Sequence, residues 1–150
     1  MPLSGESKPA PLLQSPFSES YGRFSPDGRR IAYVSNESGR SEVYVETFPV
    51  PTGKMRISTH GGTEPFWRGD GKELFYLAPD RRLMAVSVDP GPSRFDAGRP
   101  QPLFEIPVGA VRNHYVVTAD GQRFLLATIA EESFSPAITV VVNWTEALKK

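Results

Sequence analysis

Residues 24–34 read Phe-Ser-Pro-Asp-Gly-Arg-Arg-Ile-Ala-Tyr-Val, a tight-turn signal followed by an apolar run. The pattern returns at residues 67–77, Trp-Arg-Gly-Asp-Gly-Lys-Glu-Leu-Phe-Tyr-Leu, and at residues 117–127, Val-Thr-Ala-Asp-Gly-Gln-Arg-Phe-Leu-Leu-Ala. Each copy has an apolar residue, two spacers, Asp-Gly, two polar residues and an apolar stretch. Asp-Gly between apolar runs is a strong hairpin signal. Each copy therefore predicts two strands joined by a turn, at Asp27-Gly28, Asp70-Gly71 and Asp120-Gly121.

The spacing of the three turns indicates the fold class. The aspartates are 43 residues apart between Asp27 and Asp70 and 50 residues apart between Asp70 and Asp120. A repeat of about 40–50 residues with short strands is typical of the blades of a β-propeller. We therefore predict an all-β chain with three four-stranded blades, a half-propeller that closes as a six-bladed ring by dimerisation.

The short apolar runs between Gly, Pro, Asp and Ser residues predict where each blade lies. The chain is interpreted as a single module over residues 1–150. It comprises a spare outer strand at 11–15, blade 1 at 19–59, blade 2 at 63–106, blade 3 at 112–144 and a tail at 145–150. Strands are predicted at 21–25, 30–35, 42–48, 54–59, 64–68, 73–78, 83–89, 102–106, 113–118, 123–128 and 137–144.

The strand count predicts how the chain assembles. Blade 3 has only three predicted strands, while residues 11–15, with Leu12 and Leu13, form a strand without a blade. An open half-ring leaves an apolar sheet face and an unpaired strand edge in water. We expect two copies to exchange this strand and close the ring; a head-to-tail contact that does not close would instead give filaments.

Composition excludes several classes of function. The 17 basic and 17 acidic residues cancel, so no basic stripe predicts binding to nucleic acid. There are no cysteines for disulfides, thiolate metal sites or nucleophilic catalysis. No apolar run is long enough to span a bilayer, and the first residues lack a signal-peptide pattern, so membrane insertion by this chain is not expected.

Polar residues at the start of the first strand of each blade are the candidate binding residues. These positions surround one mouth of a propeller channel, and they are Glu19, Glu64, Arg112, Asn113 and His114. The recurring turn aspartates are interpreted as structural, because a residue found in every turn serves the turn. The two histidines, His60 and His114, lack ligand-spaced partners, so neither a metal nor another cofactor is predicted. No catalytic residue is predicted.

The repeated stretches resemble a known family. Residues 22–33, Gly-Arg-Phe-Ser-Pro-Asp-Gly-Arg-Arg-Ile-Ala-Tyr, resemble the TolB-type, WD40-like propeller repeat known as PD40. With residues 38–45, 70–77, 118–124 and 140–144, the chain is similar to the C-terminal half of propeller domains attached to bacterial serine/threonine kinases. The resemblance implies a bacterial extracytoplasmic domain of a membrane-anchored parent. One departure is Arg81, which replaces the glycine expected after Asp80 and predicts an irregular turn.

Two functions follow as expectations. The main one is a non-catalytic scaffold or sensor module, not an enzyme, which binds itself and a protein or peptide. The alternative is a propeller-based hydrolase or lyase with its site in the central channel. That alternative requires a convergent set of acid, base or metal ligands, such as Glu64 and His114 within hydrogen-bond reach around a bound ion.

Overall fold

The strands of the chain follow the predicted pattern closely. The computed structural model describes residues 11–89, 91, 95–107, 113–129 and 136–142, and these ranges contain strands and no helix. The strands are β1 (Glu19–Phe24), β2 (Arg30–Ser35), β3 (Glu42–Thr47), β4 (Lys54–Arg56), β5 (Thr63–Trp67), β6 (Glu73–Leu77), β7 (Arg82–Asp89), β8 (Asp96–Ala97), β9 (Gln101–Glu105), β10 (Tyr115–Val117), β11 (Arg123–Ile129) and β12 (Pro136–Val142).

The strands form three antiparallel sheets in chain order. The first has the order β1-β2-β3-β4, the second continues β5-β6-β7, and the third is β10-β11-β12. In the second sheet both β8 and β9 pair with β7, so its outermost strand is split into two pieces. The sequence did not predict β8, because two residues in a Pro- and Gly-rich connection are too few to show a periodic pattern.

The predicted spare strand is not formed in the single chain. Residues 11–18 contain no strand, and Leu12 and Leu13 are half-buried. Of the described residues, only those of β10, β11 and β12 build the third sheet. Exchange of residues 11–15 between two copies therefore stays a prediction.

The middle strand of the second sheet is covered on both faces. Leu74 and Tyr76 of β6 pack on the first sheet, and Phe75 and Leu77 pack on the third. The core partners are Ala32, Val34, Val43 and Val45 on one side and Tyr115, Phe124 and Leu126 on the other. Since side chains alternate along a strand, this continuous apolar run requires two neighbours. Three such stacked sheets are blades of a β-propeller, which confirms the predicted fold class.

The three Asp-Gly turns have one geometry. In the first, the amide of Gly28 donates to the carbonyl of Ser25 at 2.8 Å, and the amide of Arg29 donates to Asp27 Oδ1 at 3.1 Å. Gly28 has φ +68°. The same pair of bonds recurs at Asp70-Gly71 and at Asp120-Gly121, whose glycines have φ +71° and +73°. Glycine adopts this left-handed conformation without a steric penalty.

The turn at Asp80 corrects one expectation. The amide of Arg81 donates to the carbonyl of Ala78 at 3.0 Å, and the amide of Arg82 donates to Asp80 Oδ1 at 3.2 Å. The geometry is therefore that of the Asp-Gly turns, although Arg81 replaces glycine and has φ +68°. The predicted irregularity is wrong, because the aspartate bonds hold the turn while a non-glycine residue accepts the strain.

The part of the chain that the structure describes contains no helix long and apolar enough to cross a bilayer.

A glycine substitution tests the turn conformation. A Cβ at Gly28 meets nothing within 4 Å, so Gly28→Ala introduces backbone strain alone. We expect the free energy of unfolding to fall by about 1 kcal/mol, because an L-residue is strained at this φ. Urea unfolding measures it. The control is Gly53→Ala, which has equally open space without a positive φ and should leave stability unchanged or slightly raised.

The acid response of the second turn is also testable. A hydrogen bond from Arg68, at 2.7 Å, lowers the pKa of Asp70 from its usual 3.8 to about 2. Because the folded-state pKa is depressed, the stabilisation is complete above about pH 4 and is lost as the pH falls toward 2. Arg68→Gln should raise the pKa of Asp70 toward 3.8 in an NMR titration of its carboxyl carbon. Arg29→Gln is the control: the pKa of Asp27 should stay nearly unchanged in it, because that pKa is lowered chiefly by the Ser25 hydroxyl. An unchanged pKa of Asp70 in Arg68→Gln would contradict the assignment.

Candidate functional site

A glutamate from blade 2 and a histidine from blade 3 form a close pair. Glu64 lies in β5, and His114 directly precedes β10. Glu64 Oε1 lies 2.6 Å from His114 Nδ1, and Glu64 Oε2 accepts the backbone amide of His114 at 2.8 Å. One carboxylate therefore holds both the ring and the main chain of His114.

Local backbone geometry sends the Glu64 side chain into this position. The pairing of β5 with β6 shifts register between Thr63 and Phe66, a bulge, and Glu64 has φ +52°. The first sheet has the same bulge, between Ser20 and Arg23 with Tyr21 at φ +55°, so the bulge belongs to the blade, and in blade 2 it aims Glu64 at His114. Tyr115, which is buried, donates its hydroxyl to the carbonyl of Glu64 at 2.7 Å. Burial raises the pKa of Tyr115 well above its ordinary value, so this hydroxyl remains a donor.

The pair has the form of an oriented base. Glu64 is 2% exposed, so its carboxylate is stable there only because its oxygens accept hydrogen bonds. When Nδ1 of a neutral imidazole donates to a carboxylate, Nε2 is the nitrogen left to accept a proton. A histidine oriented in this way by a buried carboxylate can act as a general base.

A cavity of about 330 Å³ opens beside the pair. His114 lines it together with Arg40, Arg81 and the backbone around Gly61 and Gly62. Both arginines have carboxylate neighbours: Arg40 Nε donates to Glu42 at 2.7 Å, and Arg81 donates to Glu105 at 2.6 Å. Two guanidinium groups thus border the same space as the imidazole, which suits it to a ligand that carries negative charge.

A buried carboxylate holds the loop that forms one wall of this cavity. Glu42 is fully buried and accepts hydrogen bonds from the Ser58 hydroxyl, the Gly61 amide and Arg40. Burial acts to raise the pKa of Glu42, but these bonds outweigh it and lower that pKa. Sequence reasoning missed Glu42; its only signal was a charged residue directly before the apolar run Val43-Tyr44-Val45.

A second, larger cavity lies next to the first. Its volume is about 650 Å³, and it shares Gly61, Ala78 and Pro79 with the smaller cavity. Its other lining residues include Thr59, His60, Tyr76, Asp80, Met84 and Arg99. Burial raises the pKa of Tyr76 to about 12, so this hydroxyl stays protonated. The turn that carries Arg81 thus separates two adjoining spaces.

The five predicted binding residues differ in where they lie. Of the four that the structure describes, only Glu64 and His114 are brought together; Glu19 instead accepts the Ser15 hydroxyl at 2.7 Å. Asn113 is exposed with φ +58°, and Arg112 lies outside the described residues. Sequence position alone had placed these residues at one channel mouth, and the shared site of all five stays a prediction.

The donor set does not fit a metal ion. Among the residues that the structure describes, no group of three or more His, Cys, Asp or Glu side chains is placed to hold one. We therefore derive no step through a metal.

Comparison with known proteins gives structural matches only. No family model matches the chain, and neither does any curated protein sequence. An oligogalacturonate lyase from Vibrio parahaemolyticus superposes with a TM-score of 0.62 at 14% identity, over 89% of this chain and 40% of that one. An oligogalacturonate lyase in complex with manganese gives 0.56 at 15% identity, over 80% and 35%. A candidate 6-phosphogluconolactonase from Bacteroides uniformis gives 0.55 at 18% identity, over 87% and 42%.

These matches show the fold and correct one prediction. At such identities the likeness shows the propeller fold alone, and this chain spans about two fifths of those proteins. TolB from Acinetobacter baumannii also matches, with a TM-score of 0.47. The resemblance to the PD40 repeat, the kinase link and the extracytoplasmic location stay predictions. The prediction that the chain is not an enzyme is wrong as an inference from the fold, because enzymes are named among the structures that share it.

The hydroxyl that supports Glu64 provides a test of the site. Tyr115→Phe removes the 2.7 Å hydrogen bond that the carbonyl of the buried Glu64 accepts. We expect the free energy of unfolding to fall by about 1–2 kcal/mol, measured by urea unfolding. In the control Tyr33→Phe, the lost bond to Glu46 is longer, at 3.3 Å, and only part-buried. An equal loss in both variants would contradict the special place of Tyr115.

Proposed function

We propose that this chain belongs to a propeller enzyme of the lyase or hydrolase class, with its site in the central channel and His114 as general base. The observation that carries the proposal is the contact between Glu64 Oε1 and His114 Nδ1 at 2.6 Å, beside a cavity lined by Arg40 and Arg81. Base, orienting carboxylate and cations are the groups needed for proton abstraction from an anionic substrate.

In the lyase reaction, His114 Nε2 removes a proton from the carbon next to a carboxylate. The C–H electrons form a carbon–carbon double bond, the C–O bond at the adjacent carbon breaks, and the departing oxygen takes a proton from water to become a hydroxyl, while His114 returns its proton to the resulting hydroxide. Glu64 stabilises the imidazolium that forms, because its charge is buried against Nδ1. In the hydrolase reaction the same nitrogen takes the proton from an attacking water.

The arginines supply the charge that this chemistry needs. A carboxylate that loses its neighbouring proton accumulates negative charge, and a guanidinium opposite it stabilises that charge. Arg81 and Glu105 are each more than half exposed, so their ion pair contributes little and Arg81 can exchange Glu105 for a substrate. The larger cavity beyond Pro79 then accommodates the rest of an extended substrate.

The structural neighbours support the same classes of reaction. Two are oligogalacturonate lyases, and oligogalacturonates are acidic sugars; a third is a candidate 6-phosphogluconolactonase. We extend lyase or lactone-hydrolase chemistry to this chain because its base and cations suit an anionic substrate. The sequence identity is too low to support this step by itself.

The test is activity of the purified chain on an oligogalacturonate and on an anionic sugar lactone. Double-bond formation is followed by ultraviolet absorbance, and lactone opening by acid release. We expect His114→Ala to lower kcat/KM by about 100-fold or more, because general-base catalysis contributes at least that much. Glu64→Gln should lower kcat more than it changes KM, since it disorients the base.

The matched control is His60→Ala, which removes an exposed histidine from the neighbouring cavity. It should retain kcat, and any loss of kcat/KM should come from KM alone, because this cavity holds the substrate away from the reacting carbon. Thermal unfolding of each variant separates lost chemistry from lost folding. Absence of turnover by the folded wild-type chain on both substrates, or an equal loss in the His60 and His114 variants, would overturn the proposal.

A further inference from the structure

One face of the third sheet is apolar and uncovered. We call it the open face and define it by Val116, Leu125, Ile138 and Val140, which are 44%, 39%, 75% and 57% exposed. They are neighbours across the sheet: Leu125 pairs with both Val116 and Val140, and Ile138 pairs with Ala127. A shallow depression of about 330 Å³ lies over Val116, Leu125 and Val140. Contiguous exposed apolar side chains of this kind mark an interaction surface.

Strand register identifies what kind of surface this is. In the second sheet Phe75 pairs with Phe66 and Ala85, as Leu125 pairs with Val116 and Val140 in the third. Phe75 and Ala85 are 0% and 5% exposed, because the third sheet covers them. The open face therefore consists of the positions that, one blade earlier, lie beneath the next blade.

In the first sheet, Phe24 has the position and the exposure of a side chain that contacts a preceding blade. Phe24 is 55% exposed and pairs with Ile31, as Trp67 pairs with Leu74. Within the chain, Trp67 reaches back to the preceding blade and donates its Nε1 to the carbonyl of Arg23 at 3.1 Å. Phe24 thus holds the position of a side chain that contacts the preceding blade.

The residue that Phe24 would meet is also exposed and apolar. Arg23 pairs with Ala32 as Val116 pairs with Leu125, so Val116 is the blade 3 counterpart of Arg23. Stacking a second copy on the open face in the manner of the internal blades brings its Phe24 over Val116. The two exposed apolar groups would then cover each other.

We propose that a second copy of this chain covers the open face, its first sheet stacked on the third sheet of its partner and Phe24 on Val116. Two copies joined in this way at both ends form a closed ring. Tyr33 and Tyr44, in the middle of the first sheet, are already buried in the single chain and so offer no free surface to a partner. The rim of that sheet, where the rings of Phe24 and Phe48 pack 4.9 Å apart, is therefore the first point of contact. This proposal is independent of the proposed function.

The test is the mass in solution, measured by light scattering across a micromolar concentration series. The wild-type chain should have twice its 16.5 kDa mass. Ile138→Glu, at the most exposed position of the open face, and Leu125→Glu should each weaken association by at least about tenfold, because an unpaired charge is costly in an apolar contact. Phe24→Glu should do the same from the other side of the contact.

The control is Gln101→Glu, which places the same charge at an exposed residue of β9 in the second sheet, away from both the open face and the rim of the first sheet. It should remain dimeric, and circular dichroism should show all four variants folded. A monomeric wild-type chain, or a dimer unaffected by both open-face variants, would overturn the proposal. Loss of dimer in the open-face variants but not in Phe24→Glu would overturn the stacking geometry, and masses that grow without limit would overturn ring closure.

Discussion

The two-sided burial of β6, the middle strand of the second sheet, is the constraint on which this structure depends. Leu74 and Tyr76 of β6 face one neighbour while Phe75 and Leu77 face the other, and burying each such side chain contributes about 1.5–3 kcal/mol. A sheet built this way is stable only between two others, so the blades must stack. The described core accordingly consists of two clusters, one at each junction between consecutive sheets.

The same stacking creates the candidate site. Glu64 and His114 are 50 residues apart and belong to different blades, and they meet only because the second and third sheets pack together. The junction also supplies the support, because Tyr115 donates across it to the Glu64 carbonyl. Backbone strain accompanies this placement: Glu64 at the bulge and Arg81 at its turn both have positive φ, and both border the site. Strained residues persist where the surrounding structure determines them, here through the packed sheets and the Asp80 turn.

The sequence predicted the structural features that recur in every blade and missed the contacts that occur only once. The Asp-Gly spacing and the apolar runs predicted the sheets because turn chemistry and side-chain alternation are local properties. Equivalent positions in the repeat also pointed to Glu64 and His114. The sequence did not predict the role of Glu42, because its hydrogen bonds to Ser58 and Gly61 join residues that are distant in the chain and follow no periodic pattern. The turn at Arg81 was misjudged, since the residue preference of a turn does not show that the Asp80 hydrogen bonds can hold a less favoured residue in the same geometry.

Blade 3 links the site to assembly. It supplies His114 to the site through one face, and its other face is the open one, with Ile138 and Val140 in water. The second sheet, which carries Glu64, is packed on both faces, whereas the third sheet, next to His114, is packed on one, so fewer packing contacts hold His114 than hold Glu64. Anything that binds the open face of the folded sheet stabilises the arrangement in which His114 meets Glu64. By the same linkage, a ligand that binds between Arg81 and His114 should favour the covered state, because both equilibria depend on an ordered third sheet.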